Sequence, residues 1–508
     1  MKRVFILSST LCILASVAAG DRASIGVAGP RQELLAGRII EKVVCKEKAD
    51  QSYALYLPSN YSPAKLWPLV AAFDPGARGI APVEHFKEAA ERYGYIVCGS
   101  NNSRNGPWGP TATAADAMLN DVSTRFPIDD KRVYLAGFSG GARVATRMAA
   151  VLAGKVAGVI GCGAGLSADV QPGSSLPFVY FGTTGNEDFN YPEMKQLDRS
   201  LESAGVAHRI VVFEGGHSWA PPELCVRAIE WMELQAMKSR RKPRDESFIE
   251  RLFNQARDEA SRDEAAGKTY DAYLEYAAIA ADFKGLKDVV ELENRAASLR
   301  DAKVVKQAIK QDRDQEIEQR RRAGELLALR SKLRDAATNA TLNGIDSPAT
   351  PGGSPPVPSR ATPEQLEDGN GDRQSTIAAL RSKLADLRKK SDGKANTPER
   401  LIARRVLNEF MVSIFEPTSQ LIRSKKYELA IANLVIDVEL LPDNAGPSYS
   451  LARAYALKGD KRRAIEALNK AVQKGFANTA DLEGNHDLDS IRDEAGFKQI
   501  VEQLKQKR

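Results

Sequence analysis

The feature that most constrains this chain is an apolar run that leads directly into a glycine-flanked serine. Residues 133–136 read Val-Tyr-Leu-Ala, and Gly137-Phe-Ser139-Gly-Gly141 follows without a break. This pattern predicts a strand, a sharp turn that carries the serine, and a helix over the alanine-rich residues 142–152. Glycines two residues before and after the serine allow the two chain segments to approach each other closely. A turn of this kind requires a sheet whose strands are covered by helices.

Strand-like and helix-like stretches alternate on both sides of this turn. Apolar runs predict strands near 53–57, 69–73, 95–98, 132–136, 157–161, 178–182 and 209–213, with helices near 83–93, 112–124, 141–153, 192–204 and 221–238. Such alternation is typical of a mainly parallel sheet with helices on both faces. We therefore predict an α/β domain over residues 33–238, whose functional side chains gather at the carboxyl ends of the strands.

A serine on such a turn needs a base and an acid, which follow it in the chain. His217 comes just after a strand-like run, in a glycine-bounded loop, where an imidazole can reach a serine hydroxyl; the alternative is a solvated loop histidine. His208 begins that run and is interpreted as a strand-edge residue. The acid is expected after the strand near 178–182, where Asp188 and Glu187 compete. Asp188 is favoured because its shorter side chain holds an imidazole more rigidly.

Two N–H groups are expected to stabilise negative charge that develops next to the serine. One belongs to Gly140, the residue after the serine, and the other to the loop 74–79, which reads Asp-Pro-Gly-Ala-Arg-Gly. The proline of this loop has no N–H, which leaves Gly76 or Ala77 as the second donor. The alternative is an ordinary Pro-Gly turn. Asp74 either orients the loop or binds substrate.

Several short segments within residues 33–236 resemble the sequences of small bacterial esterases of the poly(3-hydroxybutyrate) depolymerase and carboxylesterase type, which have the α/β-hydrolase fold. These segments lie at 53–61, 73–79, 94–97, 128–134, 137–143 and 216–217. The resemblance covers about 200 of the 508 residues, and the family's usual His-Gly is replaced by Asp74-Pro75. It implies a serine hydrolase that cleaves carboxylic esters through an acyl-enzyme on Ser139, His217 and Asp188, with no metal or organic cofactor.

The substrate is predicted to be an ester on a small molecule or on a polymer. No long insertion separates Asp188 from His217, so we expect an open cleft without a helical lid. The polar loop 100–108 either lines this cleft or is a plain surface loop. The same residues could cleave amides, so a serine peptidase is one alternative. The other is a binding scaffold whose hydrolase domain is inactive.

Charge and the N-terminal residues indicate the environment of the protein. The net charge of +6 is spread over a chain rich in acids as well as bases, which argues against nucleic-acid binding. Residues 1–20 combine Lys2 and Arg3 with an apolar run and small residues, the pattern of an export signal. The run is too short for a stable membrane span. We expect export, to the periplasm or out of the cell.

Four cysteines remain after the expected signal, namely Cys45, Cys98, Cys162 and Cys225. None belongs to a Cys-x-x-Cys pair, which argues against zinc binding and thioredoxin-like chemistry. An exported protein could oxidise some of them, and the pairing cannot be derived from the sequence.

Past residue 238 the pattern changes to charged helices. The basic residues 238–244 predict a solvated hinge, and 246–335 predict a charge-rich helical region that includes one or two long solvated helices. Residues 337–375 contain a run rich in proline, glycine and serine, which predicts a disordered linker.

Residues 400–508 contain positions that recur after 34 residues. Ala430 corresponds to Ala464 and Leu434 to Leu468, which resembles the tetratricopeptide repeat. The resemblance implies a short all-α array of paired helices. Arrays of this kind bind peptide segments or mediate assembly, so a protein or peptide partner is expected; the alternative is a structural spacer.

Overall fold

The computed structural model describes residues 34–173, 175–345, 363–393 and 396–506. The expected export signal at 1–20 lies outside the described residues. The described residues from Ala36 onwards form one compact unit. Within the described ranges, no helix combines the length and the apolar character that crossing a membrane would require.

An eight-stranded sheet forms the centre of the first half of the chain. Its strands are β1 Ile39–Val44, β2 Ser52–Tyr56, β3 Trp67–Phe73, β4 Ile96–Ser100, β5 Ile128–Phe138, β6 Gly158–Cys162, β7 Val179–Gly185 and β8 His208–Phe213. They are ordered β1-β2-β4-β3-β5-β6-β7-β8. Strand β2 pairs antiparallel with β1 and β4, and β3 to β8 are parallel. The sequence did not predict β1, because its apolar residues do not alternate with polar ones.

Five helices cover this sheet. They are α1 Ile80–Tyr93, α2 Trp108–Arg125, α3 Gly140–Val151, α4 Tyr191–Ser203 and α5 Pro222–Lys238. Residues of α1 and α5 share one buried core with β2 to β7, because each helix presents an apolar stripe at helical spacing to the sheet. The predicted α/β-hydrolase fold with a mainly parallel sheet is confirmed, as is an all-helical region after it.

The helical region has three buried cores. Its helices are α6 Glu246–Ala265, α7 Thr269–Phe283, α8 Val290–Asp301, α9 Lys303–Ile345, α10 Pro363–Ser391, α11 Pro398–Arg423, α12 Tyr427–Leu440, α13 Ala445–Lys458, α14 Lys461–Gln473, α15 Thr479–Gly484 and α16 Ala495–Gln506, with a 3₁₀ turn at His486–Ile491. The first core joins α5 to α6–α8, the second joins α9 to α12, and the third joins α12 to α16. Helix α9 also contacts α7 and α8, so the described part of the helical region is packed continuously from α5 onwards.

Helix α9 is exposed along one side only, whereas the charge pattern predicted a helix solvated all round. Arg330 of α9 is buried and forms an ion pair with the buried Asp437 of α12, with an Nη2–Oδ2 distance of 3.0 Å. Glu316 of α9 is also buried and pairs with Arg199 of α4 at 2.8 Å. The prediction was wrong here because the partner of each charge lies more than 100 residues away in the chain.

The predicted linker at 337–375 is helical at both of its ends. Helix α9 extends to Ile345, and α10 begins at Pro363. Residues 346–362 lie outside the described residues. The proline, glycine and serine residues that predicted a linker lie mainly at 348–358. They therefore gave no information about the segments on either side, which are helical.

The positions that recur after 34 residues occupy equivalent places in α12 and α14. Ala430, Leu434, Ala464 and Leu468 are all fully buried. The two alanines allow α12 and α14 to pack closely against α13. The assignment to the tetratricopeptide family remains a prediction.

Candidate active site

Ser139 lies on a strained turn between β5 and α3. Its backbone has φ 53° and ψ −122°, a region that side-chain-bearing residues rarely adopt. A Cβ on Gly137 would lie 2.1 Å from the carbonyl oxygen of Gly141, and one on Gly141 would lie 2.0 Å from that of Phe73. Both glycines are therefore required by close backbone approach, and they place the serine at the carboxyl end of β5.

Ser139, His217 and Asp188 form a continuous set of hydrogen bonds. The Nε2 of His217 lies 2.9 Å from the Oγ of Ser139, and its Nδ1 lies 2.9 and 3.0 Å from the two carboxylate oxygens of Asp188. Asp188 is fully buried and also accepts the N–H of Asn190 at 2.8 Å. In such an arrangement an imidazole can take the serine proton while the carboxylate fixes its tautomer.

The imidazole of His217 contacts two aromatic rings. The ring centroid of Phe138 lies 4.6 Å from that of His217, and the centroid of Phe189 lies 4.3 Å away. At Gly163, with φ 63°, a Cβ would lie 3.0 Å from the Oδ2 of Asp188 and 3.1 Å from the Nδ1 of His217. Phe189 and Gly163 were not predicted from the sequence, although Gly163 lies two residues after the predicted strand 157–161, at the end of a strand where site residues are expected.

The second candidate acid, Glu187, faces away from His217. The Nη1 of Arg404 donates to both of its carboxylate oxygens, at 2.9 and 2.7 Å, and the Nη1 of Arg400 lies 3.1 Å from Oε1. Both arginines belong to α11. Of the two adjacent carboxylates, the structure therefore brings Asp188 to the histidine and Glu187 to the helical region.

The carboxylate of Asp74 organises the loop 74–79. It is fully buried and accepts the N–H of Gly76 at 2.8 Å, the indole N–H of Trp219 at 2.9 Å, and two N–H groups of Arg78 at 2.9 Å each. Burial opposes ionisation, but these hydrogen bonds, led by those of Arg78, hold the pKa of Asp74 below its ordinary value. Because both oxygens are occupied in this way, Asp74 orients the loop.

The two backbone groups predicted as the second donor are both engaged within this loop. The N–H of Gly76 donates to the carboxylate of Asp74, and the N–H of Ala77 donates to the Asp74 carbonyl at 3.1 Å. The assignment of the second donor to Gly76 or Ala77 stays a prediction, although in this structure both amides already donate to Asp74. The N–H of Gly140, by contrast, has no hydrogen bond to any described residue.

The side-chain amide of Asn105, which was not predicted from the sequence, lies beside Gly140. Its Oδ1 lies 1.8 Å and its Nδ2 3.2 Å from where a Cβ on Gly140 would stand, so the amide lies directly against that glycine. The N–H of Asn105 donates to the carbonyl of Pro75 at 2.9 Å, which ties it to the loop 74–79. Its side-chain amide makes no hydrogen bond to a described residue. Of the two interpretations of the loop 100–108, this contact favours a place in the cleft.

Helices of the C-terminal region contact the turn that carries Asp188. The Nε2 of Gln319 in α9 donates to the carbonyl of Phe189 at 2.8 Å, and the Nε of Arg405 in α11 donates to the carbonyl of Asn186 at 2.6 Å. The spacing of the strands does not reveal these contacts. The expectation of an open cleft stays a prediction.

The described residues contain no group of three His, Cys, Asp or Glu side chains arranged to hold a metal ion. Cys45, Cys98, Cys162 and Cys225 are buried and unpaired. Burial is the main cause that raises the pKa of the Cys45 thiol to about 11.

Comparison with known proteins gives matches to solved structures only. No protein-family model matches the chain, and no curated protein matches it. An esterase of Pyrobaculum calidifontis is 14% identical, with 40% of this chain and 87% of that chain covered and a TM-score of 0.33. An S-formylglutathione hydrolase of Staphylococcus aureus is 16% identical, with 36% and 90% covered and a TM-score of 0.31. An esterase of Mycobacterium marinum is 16% identical, with 39% and 82% covered and a TM-score of 0.32.

Proposed function

We propose that this protein is an exported serine hydrolase that cleaves carboxylic esters through an acyl-enzyme on Ser139. The observation that carries the proposal is the set of hydrogen bonds from Ser139 through His217 to the buried Asp188. The strained backbone at Ser139 adds support, because strain of this kind is retained where a reactive group must be presented. Export is supported by the composition of residues 1–20.

In the proposed reaction His217 takes the proton of Ser139 as its Oγ attacks the acyl carbon. Asp188 stabilises the imidazolium that forms, and His217 then gives the proton to the leaving alcohol oxygen. In the second half, His217 deprotonates a water molecule that attacks the acyl carbon. The ester bond to Oγ breaks, the proton returns to Ser139, and the carboxylic acid leaves.

The negative oxygen of each tetrahedral intermediate is assigned to the N–H of Gly140 and to the side-chain amide of Asn105. The first is supported by its position after the nucleophile and by the absence of another hydrogen bond. The second is supported by the contact of Asn105 with Gly140 and by the engagement of the amides of Gly76 and Ala77 within their own loop. A side-chain amide is a known donor for such an oxygen.

Esters are favoured over amides because the short sequence segments around the site resemble those of esterases.

A fluorophosphonate probe tests the proposal, because it labels an activated serine covalently. We expect labelling of the wild type and of Ser218→Ala, whose hydroxyl donates to the Trp219 carbonyl instead, but none of Ser139→Ala. Turnover of p-nitrophenyl esters, compared with peptide anilides, then distinguishes an esterase from a peptidase.

Three outcomes would overturn the proposal. Equal labelling of wild type and Ser139→Ala would place the reactive group elsewhere, and no labelling of either would favour a binding scaffold with an inactive hydrolase domain. Faster turnover of anilides than of esters would identify a peptidase of the same fold.

A further inference from the structure

We propose that Arg400 and Arg404 of α11 are positioning residues for the catalytic acid, which they hold in place through Glu187. The inference rests on the proposed function and extends it. It makes the helical region a part of the hydrolase site, although none of its residues belongs to the proposed set of reacting groups.

The acid turn, residues 186–189, receives its hydrogen bonds from two sources. On the side of the sheet, the N–H of Asn186 donates to the carbonyl of Phe213 at 2.8 Å and that of Glu187 to the carbonyl of Gly215 at 2.9 Å. These bonds use the N–H groups of the first two residues of the turn. They leave the carbonyl groups of Asn186 and Phe189 and the carboxylate of Glu187 for other partners.

The helical region supplies those partners. The carbonyl of Asn186 accepts from Arg405 at 2.6 Å, and the carbonyl of Phe189 accepts from Gln319 at 2.8 Å. The guanidinium of Arg405 also stacks on the ring of Tyr191, 3.7 Å from its centroid, which fixes its direction. A turn of four residues is thus bound from outside at both of its ends.

Glu187 forms the ion pairs that bind the acid turn to α11. Its side chain is only 18% exposed and faces two guanidinium groups, of Arg400 and Arg404. Charge-assisted bonds from two cations to one carboxylate are stronger and more directional than bonds between neutral groups. Because Glu187 is the chain neighbour of Asp188, the position of one carboxylate limits the freedom of the other.

Loss of this attachment should affect the rate of the chemical step. Asp188 must stay aligned with His217, and small misplacements of a catalytic group reduce rates strongly. We expect about a 10-fold lower kcat for the full-length variant Arg400→Gln/Arg404→Gln. KM should stay within about two-fold, because neither arginine contacts Ser139, Gly140 or Asn105, where the ester is expected to bind.

The test compares four full-length variants with the wild type. They are Glu187→Gln, Arg400→Gln/Arg404→Gln, the combination of all three changes, and the control Arg453→Gln. Arg453 forms a similar ion pair with Asp487 in the helical region, with an Nε–Oδ2 distance of 3.0 Å, but it does not contact the acid turn. If the arginines act through Glu187, the triple variant should be no slower than Glu187→Gln alone. In a fifth variant, Arg400→Gln/Arg404→Lys, the loss of kcat should be smaller than in Arg400→Gln/Arg404→Gln, because lysine keeps the charge.

Hydrogen–deuterium exchange of the peptide that covers 185–191 provides a readout that needs no activity. We expect faster exchange in the arginine and Glu187 variants than in the wild type, and unchanged exchange in Arg453→Gln. Unchanged exchange, or an unchanged kcat in an active protein, would overturn the inference, as would additive losses of kcat in the triple variant. A wild type without Ser139-dependent labelling would instead overturn the proposed function, and the exchange rates would still decide whether the helices hold the acid turn.

Discussion

Two turns flank Ser139, and they are held in different ways. The loop 74–79 is held by its own domain, since Asp74 binds Arg78 four residues away and Trp219 on a loop of the same sheet. The acid turn 186–189 is held partly by helices α9 and α11, and Glu187 binds Arg404 across 217 residues of sequence. One half of the site is therefore completed within the α/β domain, whereas the other half depends on the helical region.

Because of this difference, we expect the partners of Asp74 to affect the stability of the protein and the partners of Glu187 to affect the alignment of Asp188 with His217. The partners of Asp74 bury a charge inside the domain, so their loss should lower the free energy of unfolding. The partners of Glu187 lie at a boundary between two packed regions, so their loss should move the acid with little effect on unfolding. The following variants test that contrast.

The largest effect is expected on the acid side, from Asp188→Asn. This change keeps the shape of the residue but removes the charge that stabilises the imidazolium, so kcat should fall about 10⁴-fold. Steady-state turnover of a p-nitrophenyl ester gives the measurement. Glu187→Gln is the control, because it makes the same change from acid to amide at the neighbouring carboxylate. Similar losses in the two variants would contradict the assignment of the acid to Asp188.

The next effect is expected on the opposite side, from Asn105→Ala. Loss of one donor to the negative oxygen should reduce kcat about 100- to 1000-fold with little change in KM. Inhibition by a trifluoromethyl ketone, which forms a tetrahedral adduct, should weaken in parallel. Asn101→Ala is the control, because that amide donates to the carbonyl of Glu41 in β1. A loss of less than three-fold in Asn105→Ala would remove Asn105 from the site.

A smaller effect, now on stability, is expected from Asp74→Asn. The change weakens charge-assisted hydrogen bonds to a buried group, and about 1–3 kcal/mol of the free energy of unfolding should be lost. Glu187→Gln should cost about 1 kcal/mol or less, because its ion pairs are partly exposed. Urea unfolding followed by tryptophan fluorescence measures both. The reverse order of the two values would refute the proposed contrast.

The smallest effect concerns the pH dependence of the same loop. The pKa of folded Asp74 lies below its ordinary value of 3.8. The stabilisation from its charge is therefore complete above that value and is lost as the pH falls through the lower, folded-state pKa. The difference in urea midpoint between wild type and Asp74→Asn should stay constant from pH 7 to 5 and shrink below about pH 3.8. A difference that shrinks already near pH 6 would exclude Asp74 as the cause.

The sequence was most informative where the structure depends on neighbours in the chain. The strand, the glycine-flanked Ser139 and the helix after it were predicted from nine consecutive residues, because steric limits on the backbone act locally. Seven of the eight strands were found from apolar runs. The edge strand β1 was missed, because half-exposed edges bury too little surface to need a regular pattern.

The sequence was least informative about groups that meet across long distances in the chain. It offered Gly76 and Ala77 as donors, but could not show that the carboxylate of Asp74 would engage the first amide and its carbonyl the second. Asn105 has no motif around it. Likewise, a charged helix such as α9 is predicted as solvated unless the distant partners of its charges are known.

The sequence alone determined the α/β fold, the strained serine and the choice of candidate base, since each follows from short-range backbone sterics and from the order of strands and helices. Only the tertiary structure decided which carboxylate faces His217, which amide lies beside Gly140, and that α11 binds the acid turn. The physical reason is that hydrogen bonds and ion pairs depend on distances of about 3 Å between atoms, and the fold sets those distances for residues far apart in the chain.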